Sequence, residues 1–145
     1  MNEFDCLKLE NQLCFPLYAC SKEIVRRYTP FLDELDLTYT QYIVMMVLWS
    51  EEEINVKELG KKLYLDSGTL TPVLKKLESK KYISRKRNKN DERNLIVKIT
   101  KEGADLKNNA KKVPDKLGKC INLEQKESKQ LYDLLYKVLE NLKNN

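Results

Sequence analysis

The sequence predicts a mainly α-helical fold with a small β-hairpin, and three observations predict it. Apolar residues recur at helical spacing along most of the 145 residues. Residues 82–87 and 95–100 instead alternate or are rich in β-branched side chains, as strands are. Glycine and proline number only four each, so the chain has few points at which helices must break. The length is that of one domain, 1–145.

Composition excludes several classes of protein. The chain has no histidine, which removes histidine-based catalytic triads and histidine metal ligands. Its four cysteines form no C-x-x-C pair, so neither a zinc ribbon nor a thioredoxin-type site is expected. No metal and no cofactor are therefore predicted. The longest apolar run, 42–49, is far shorter than the roughly 20 residues that cross a bilayer, and no secretion signal opens the chain. We expect a cytoplasmic protein without membrane contact.

The first two helices follow from apolar spacing and from helix-start signals. A first helix is predicted over about 9–28, and Pro16 is tolerated near its start. Thr38 and Gln41 form a capping box, in which each side chain satisfies a free backbone donor of the other residue. This box opens a strongly apolar helix over 39–49.

Two shorter helices follow, and the second has two distinct sides. The first is predicted over 56–63, and the second begins with Asp66 as its N-cap. Apolar side chains of the second helix form one stripe, at Leu70, Val73, Leu74 and Leu77. The opposite side carries hydroxyl and ammonium groups able to reach phosphates or base edges, from Ser67, Thr69, Thr71, Lys75 and Lys76.

A basic hairpin comes next, with strands over 82–87 and 95–100 around a polar tip at 88–94. From residue 75 to 101 there are eleven lysines and arginines against three acidic residues, although the whole chain has a net charge of +5. This local excess of positive charge is equally consistent with a surface that faces phosphates and with an ordinary solvated surface. A helix-turn-helix followed by a hairpin is, however, a winged helix, predicted over about 36–100. We therefore predict double-stranded DNA as the partner.

Three residues of the hairpin are candidate DNA-binding residues. Arg85, in the first strand, carries a charge suited to phosphate. Arg93, at the tip, suits a narrow minor groove, which attracts arginine. Asp91 would orient Arg93 through an ion pair, and a turn-forming role for Asp91 is compatible with this.

The C-terminal third predicts helices that need a second surface. Thr100 caps a helix that runs to about residue 112, and a last helix is predicted over 123–142. The last helix carries an apolar stripe too large for one winged helix to cover, formed by Leu131, Leu134, Leu135, Val138, Leu139 and Leu142. A two-fold homodimer covers it, with about 9–30 and 101–142 as dimerisation helices. Such symmetry implies a pseudo-palindromic operator.

Several motifs carry a resemblance to a known family. Residues 66–78 read DSGTLTPVLKKLE, and residues 91–94 read DERN, which matches a D-x-R wing pattern; both resemble the MarR family of bacterial transcription regulators. Residues 9–18, LENQLCFPLY, and 37–42, LTYTQY, look like the organic hydroperoxide resistance regulators within that family. The resemblance spans nearly the whole chain. It implies a dimeric repressor that holds its operator until a cysteine near the N-terminus is oxidised.

Cys14 is the candidate sensor, because peroxides attack thiolates rather than thiols. Near a helix start, its sulfur would face the positive end of the helix dipole. Tyr18, four residues on, shares its face of the helix. The resemblance implies that Tyr28 and Tyr39 reach the thiol from the other subunit. Ordinary amphipathic packing remains the alternative for each of these tyrosines.

Two other cysteines invite separate interpretations. Cys20 is six residues from Cys14 and faces elsewhere on the helix, so we expect a small core residue. Cys120 lies between Pro114 and the final helix. The resemblance makes Cys120 a possible resolving thiol for the partner chain, and a buried cysteine in the dimer core fits equally well.

The sequence thus predicts a transcriptional repressor, not an enzyme, that releases DNA when an organic hydroperoxide oxidises Cys14. A MarR-type repressor released by a small aromatic ligand is the alternative within the same fold. A thiol peroxidase is a weaker one, because the chain has neither histidine nor a paired catalytic cysteine motif.

Overall fold

The elements of the chain follow the predicted order, with one added strand and one added helix. The computed structural model describes the backbone of residues 1–145 and every side chain except those of residues 88 and 91–93. Two short 3-10 turns, Asp5–Leu7 and Leu9–Asn11, come first. The remaining elements are α1 (Cys14–Asp33), α2 (Tyr39–Glu51), β1 (Glu53–Asn55), α3 (Val56–Leu63), α4 (Ser67–Ser79), β2 (Ile83–Asn88), β3 (Asp91–Ile99), α5 (Lys101–Asp105), α6 (Lys107–Ala110), α7 (Val113–Ile121) and α8 (Gln125–Lys143). The predicted mainly α fold with a hairpin is confirmed.

The chain divides into two compact units, Met1–Val113 and Pro114–Asn145. The first unit contains the helix-turn-helix, α3 and α4, and the hairpin of β2 and β3. The second contains α8 and most of α7. One domain over 1–145 stays a prediction, as do its winged-helix and dimerisation parts. Among the described residues, no helix is both long and apolar enough to span a membrane.

The sheet has three antiparallel strands in the order β1-β3-β2. In the hairpin, Arg85 lies opposite Val97, and on the other side of β3 Val97 lies opposite Ile54. Val97 is fully buried and Ile54 is 8% exposed, so one face of this sheet packs on the core. The sequence did not predict β1, whose three residues are too few to show a strand pattern.

The core of the first unit is built around α2 and α4. Its most deeply buried side chains come from four helices and one strand: Leu32, Val44, Met45, Leu48, Leu59, Leu70, Leu74, Leu77 and Val97. Leu70, Leu74 and Leu77 belong to the apolar stripe predicted for α4, so this stripe faces the core. The opposite side of α4 is thereby turned to solvent.

The first helix begins later and ends later than predicted. It starts at Cys14 instead of about residue 9, because the side-chain amides of Asn11 and Gln12 bond the carbonyls of residues 5, 6 and 8 and hold that stretch in turns. Starting at Cys14 also makes Pro16 the third helical residue, where a missing N–H costs least. At the other end α1 continues through Pro30 to Asp33, since buried Leu32 holds the last turn against the core.

Three features of the second half also differ from the prediction. Strand β3 begins at Asp91 instead of residue 95, so the hairpin tip is shorter than the predicted 88–94. Helix α7, which the sequence did not predict, begins after a break at residues 111–112, and Pro114 is its second residue, where proline is tolerated. The predicted helix from Thr100 to about residue 112 is divided into α5 and α6.

The predicted helix caps are confirmed. Thr38 and Gln41 form a complete capping box, in which Gln41 N donates to Thr38 Oγ1 (3.3 Å) and Thr38 N donates to Gln41 Oε1 (3.1 Å). Asp66 Oδ1 accepts from Thr69 N at 2.7 Å, and Thr100 Oγ1 accepts from Gly103 N at 3.1 Å. Such caps are worth about 0.5–2 kcal/mol each, so they fix where α2, α4 and α5 begin.

Gly103 sits where α2, the hairpin and α5 meet, and we expect Gly103→Ala to destabilise the chain strongly. An added β-carbon would overlap the carbonyl oxygen of Tyr82 and lie 3.1 Å from its carbonyl carbon. The Gly103 carbonyl also accepts from Trp49 Nε1 at 2.8 Å, so the backbone cannot shift freely. Overpacking of this kind costs about 1–3 kcal/mol, measurable by urea unfolding. Gly118→Ala is the control: a β-carbon there meets nothing within 4 Å, and we expect equal or higher stability. Equal stability of both variants would contradict the prediction.

Candidate DNA interface and cysteine site

The exposed side of α4 carries the residues predicted to bind DNA. Asp66 caps the helix, and three buried leucines fix its rotation on the core. All five predicted residues of this helix are consequently exposed: Ser67, Thr69, Thr71, Lys75 and Lys76. All five side chains of α4 are therefore accessible to a partner, and their contacts with DNA stay a prediction.

The three hydroxyl groups of this surface are not equivalent. Thr71 Oγ1 donates to the carbonyl oxygen of Ser67 at 2.7 Å. The hydroxyl and the N–H of Thr69 both bond Asp66, and these hydrogen bonds lower the pKa of the Asp66 carboxyl. Within the described part of the chain, the Ser67 hydroxyl has no partner. Ser67 is thus the hydroxyl donor available to an acceptor on DNA.

Arg85 has a structural partner in the DNA-free chain. Its Nη2 lies 3.0 Å from Glu78 Oε1 of α4, and its side chain is only 19% exposed. This hydrogen bond and charge hold the pKa of Glu78 below its usual value. A phosphate contact by Arg85 stays a prediction, and it would compete with the ion pair that ties β2 to α4.

The hairpin exposes further basic residues that sequence reasoning did not single out. Lys86, Arg87 and Lys89 are all exposed. For Lys86, strand alternation was a signal of exposure that the sequence already offered. Arg85 shares the face of buried Ile83, whereas Lys86 lies on the other face of the strand. The side chains of Arg93 and Asp91 lie outside the described residues, so their predicted roles stay predictions.

Cys14 lies at the N-terminal end of α1 with its side chain exposed. Among the described side chains, none donates a hydrogen bond to its sulfur. Tyr18, one turn further on, is 59% exposed, and the Lys22 ammonium lies 5.2 Å from the centre of its ring. The beginning of α1 therefore presents an exposed thiol and an exposed phenol on one face of the helix.

The other cysteines are exposed as well. Cys20 is not the core residue that the sequence predicted, because the part of α1 that is buried in the core lies near its other end, at Leu32. Cys120 lies within α7, not between helices, and is exposed in the single chain. No group of three or more cysteine or carboxylate side chains with metal-site spacing occurs among the described residues.

Tyr28 and Tyr39 form a ring pair at the far end of α1. Their ring centres lie 4.9 Å apart, and Tyr42 packs against both at 5.7 and 6.4 Å. Along α1, Cys14 and Tyr28 are separated by about 21 Å, at 1.5 Å per residue. The structure thus brings the two predicted tyrosines together but keeps them away from Cys14 of the same chain.

The buried ring cluster changes the acidity of its phenols. Burial raises the pKa of Tyr28 to about 12, and the neighbouring phenols of Tyr39 and Tyr42 add to the rise. Burial also raises the pKa of Tyr39 and, together with the Tyr39 phenol, that of Tyr42. These phenols therefore stay protonated, and able to donate, throughout the physiological range.

We expect this cluster to make folding stability fall between about pH 10 and 12. The folded chain holds the Tyr28 proton more tightly than the unfolded chain, so its stabilisation is complete below about pH 10 and is lost as the pH rises towards 12. Urea unfolding at stepped pH measures the fall, which should be smaller in Tyr28→Phe. Tyr18→Phe, at an exposed position, is the control. A fall of equal size in Tyr28→Phe and the parent would contradict the assignment.

A capped helix with an exposed polar side, beside a basic hairpin, defines a winged-helix DNA-binding protein. The family model described as "Transcriptional regulator SarA/Rot" matches residues 26–110. The chain is 47% identical to the organic hydroperoxide resistance transcriptional regulator of Bacillus subtilis over 97% of this chain and 96% of that protein. The chain belongs to the MarR-type transcription regulators, in their organic hydroperoxide resistance branch, which confirms the predicted family and its regulatory function.

Two solved structures have the same fold. Overoxidized AbfR bound to DNA has a TM-score of 0.78 and 32% identity, covering 97% of this chain and 99% of that one. A cysteine-to-serine mutant of MarR from E. coli, complexed with operator DNA, has a TM-score of 0.77 and 30% identity, covering 96% and 99%. The chain is therefore a DNA-binding transcription regulator of the winged-helix class.

Proposed function

We propose that the chain is a homodimeric repressor that binds a pseudo-palindromic operator and releases it when an organic hydroperoxide oxidises Cys14. The observation that carries the proposal is the separation of the exposed Cys14 from the Tyr28–Tyr39 pair within one chain. Phenols that stay protonated are suitable donors to a thiolate or to its oxidised form. The resemblance implies that these phenols reach Cys14, and the distance along α1 means that they would do so from a second copy of the chain.

The exposed apolar surface supports the dimer. In the segment before α1, Leu7, Leu9 and Leu13 are each more than half exposed. In α8, the predicted stripe is exposed as well, with Leu134 at 60% and Leu142 at 66%. Apolar surface of this extent on one chain favours burial against a second copy.

The chemistry at Cys14 is a two-electron oxidation. The thiolate attacks the terminal OH oxygen of the hydroperoxide and the O–O bond breaks, which gives a sulfenic acid and an alkoxide that takes a proton from water to become the alcohol. The chain then needs a thiol to regenerate it and turns over no peroxide by itself. We infer that it is a sensor and not an enzyme, that it works in the cytoplasm without a cofactor, and that it makes no membrane contact.

Cys120 is the candidate for a second oxidation step. A sulfenic acid at Cys14 condenses with a thiol and loses water, giving a disulfide with Cys120 of the partner chain or with a small cellular thiol. The first route requires an accessible thiol at Cys120, and Cys120 is exposed. A non-reducing gel after peroxide treatment separates them, because only the first route gives a covalent dimer that Cys120→Ser abolishes.

The test is footprinting of the DNA upstream of the protein's own gene, with and without cumene hydroperoxide. Because the related AbfR has been crystallised on DNA in its overoxidized form, the peroxide should be limited to about one equivalent per chain and the products identified by mass spectrometry. We expect a symmetric footprint that disappears when Cys14 reaches the sulfenic acid or a disulfide. A footprint that persists at full conversion of Cys14 would overturn the proposal.

A further inference from the structure

Lys80 joins α4, the helix predicted to recognise DNA, to the turn between α1 and α2. Its Nζ donates to Gln41 Oε1 at 3.0 Å and to the carbonyl oxygen of Asp36, and lies 3.5 Å from Asp36 Oδ1. Two of its three donors thus have acceptors, at Asp36 in the turn and at Gln41 in the first turn of α2, and the Asp36 carboxylate adds an ion pair. The Lys80 side chain is only 24% exposed, which strengthens these contacts relative to a surface ion pair.

This turn connects the two helices that carry the tyrosine pair. Tyr28 lies in α1, which ends at Asp33, and Tyr39 is the first residue of α2. Gln41, 2% exposed, accepts from both Lys80 and the N–H of Thr38, the residue before Tyr39. Gln41 Oε1 is thus hydrogen-bonded both to Lys80 and to the backbone next to Tyr39. A displacement of Tyr39 therefore shifts the oxygen that Lys80 binds.

The other end of the contact is fixed in α4. The backbone N–H of Lys80 donates to the carbonyl oxygen of Lys76 at 3.0 Å, so Lys80 ends the helix as its C-cap. The helix is about 20 Å long, and the exposed Ser67 lies at its opposite end. Lys80 can thus tilt α4 without belonging to the surface predicted to bind DNA.

Apolar packing between α2 and α4 holds the helices together but has little directional preference. The two hydrogen bonds of Lys80 are directional. We propose that Lys80 is a positioning residue that transmits the state of the Tyr28–Tyr39 pair to the recognition helix. This inference rests on the proposed function, because it requires oxidation at Cys14 to weaken operator binding.

The experiment compares Lys80→Met with the parent in the full-length dimer. Methionine keeps most of the apolar stem and removes all three donors. The measured quantity is the ratio of operator Kd after and before oxidation by one equivalent of cumene hydroperoxide. We expect this ratio to fall at least fivefold, the lower range of allosteric coupling. The rate of Cys14 oxidation and the operator Kd of the reduced protein should change less than about threefold. Lys129→Met, which removes an exposed lysine paired with Asp133 at 3.1 Å, is the matched control and should keep the parental ratio.

The outcomes separate this inference from the proposed function. If the parent releases its operator on oxidation and Lys80→Met does so by the same factor, Lys80 only stabilises the fold and the inference is wrong. If the parent itself does not respond, the proposed function fails and the inference with it. If Lys80→Met does not fold, Lys80→Gln takes its place, because its side chain is one bond shorter than that of lysine. The same comparison of operator Kd before and after oxidation then decides between the outcomes.

Discussion

Cys14→Ser is expected to bind the operator as tightly as the parent and to keep it after treatment with an organic hydroperoxide. Serine nearly matches cysteine in shape, and the side chain is exposed at the start of α1, so folding should be unaffected. A hydroxyl, however, forms no sulfenic acid. We expect oxidation to raise the operator Kd of the parent at least tenfold and that of the variant by less than twofold, measured by fluorescence anisotropy.

The chain offers a matched control in the same helix. Cys20 is also exposed in α1, and Cys20→Ser should respond to peroxide as the parent does. The two variants differ only in which thiol near the beginning of α1 is lost. If Cys14→Ser still releases DNA, or if Cys20→Ser does not, the sensor is another cysteine.

Local signals in the sequence were sufficient to predict most of the elements that position this site. The capping residues Thr38, Asp66 and Thr100 each mark a helix start by a side chain that bonds its own backbone within three residues. Such signals need no knowledge of the rest of the fold. The stripe of leucines in α4 likewise predicts which side of that helix faces the core, and so which side faces DNA.

What the sequence did not predict depends on contacts between distant residues. Strand β1 exists only because Ile54 pairs with Val97, 43 residues away. Lys80 and Gln41 are separated by 39 residues, and nothing in either local pattern indicates their hydrogen bond. The late start of α1 has a local cause, since the Gln12 amide bonds two preceding carbonyls, but apolar spacing alone does not register it.

For Arg85, charge and burial favour different partners, and its predicted contact with DNA stays a prediction. A count of basic residues assigns it to DNA, whereas the alternation of β2 places it on the side of buried Ile83 and within reach of Glu78. Candidate phosphate contacts are therefore better chosen by exposure. Lys75 and Lys76 meet that criterion, because both are exposed on α4.

Replacing Lys75 and Lys76 together by alanine should weaken operator binding and make it far less sensitive to salt. Each phosphate contact contributes about 0.9 to the slope of log affinity against log salt concentration. A dimer that loses four such contacts should show a slope shallower by about 3–4 units and an affinity at least tenfold lower near 0.1 M salt. Alanine is a strong helix former, and Leu74 and Leu77 stay buried, so α4 should remain folded.

The paired variant Lys126→Ala with Lys129→Ala removes the same charge from α8, and its slope should stay within about one unit of the parental value. Equal slopes for the two double variants would mean that the exposed side of α4 does not face the phosphates.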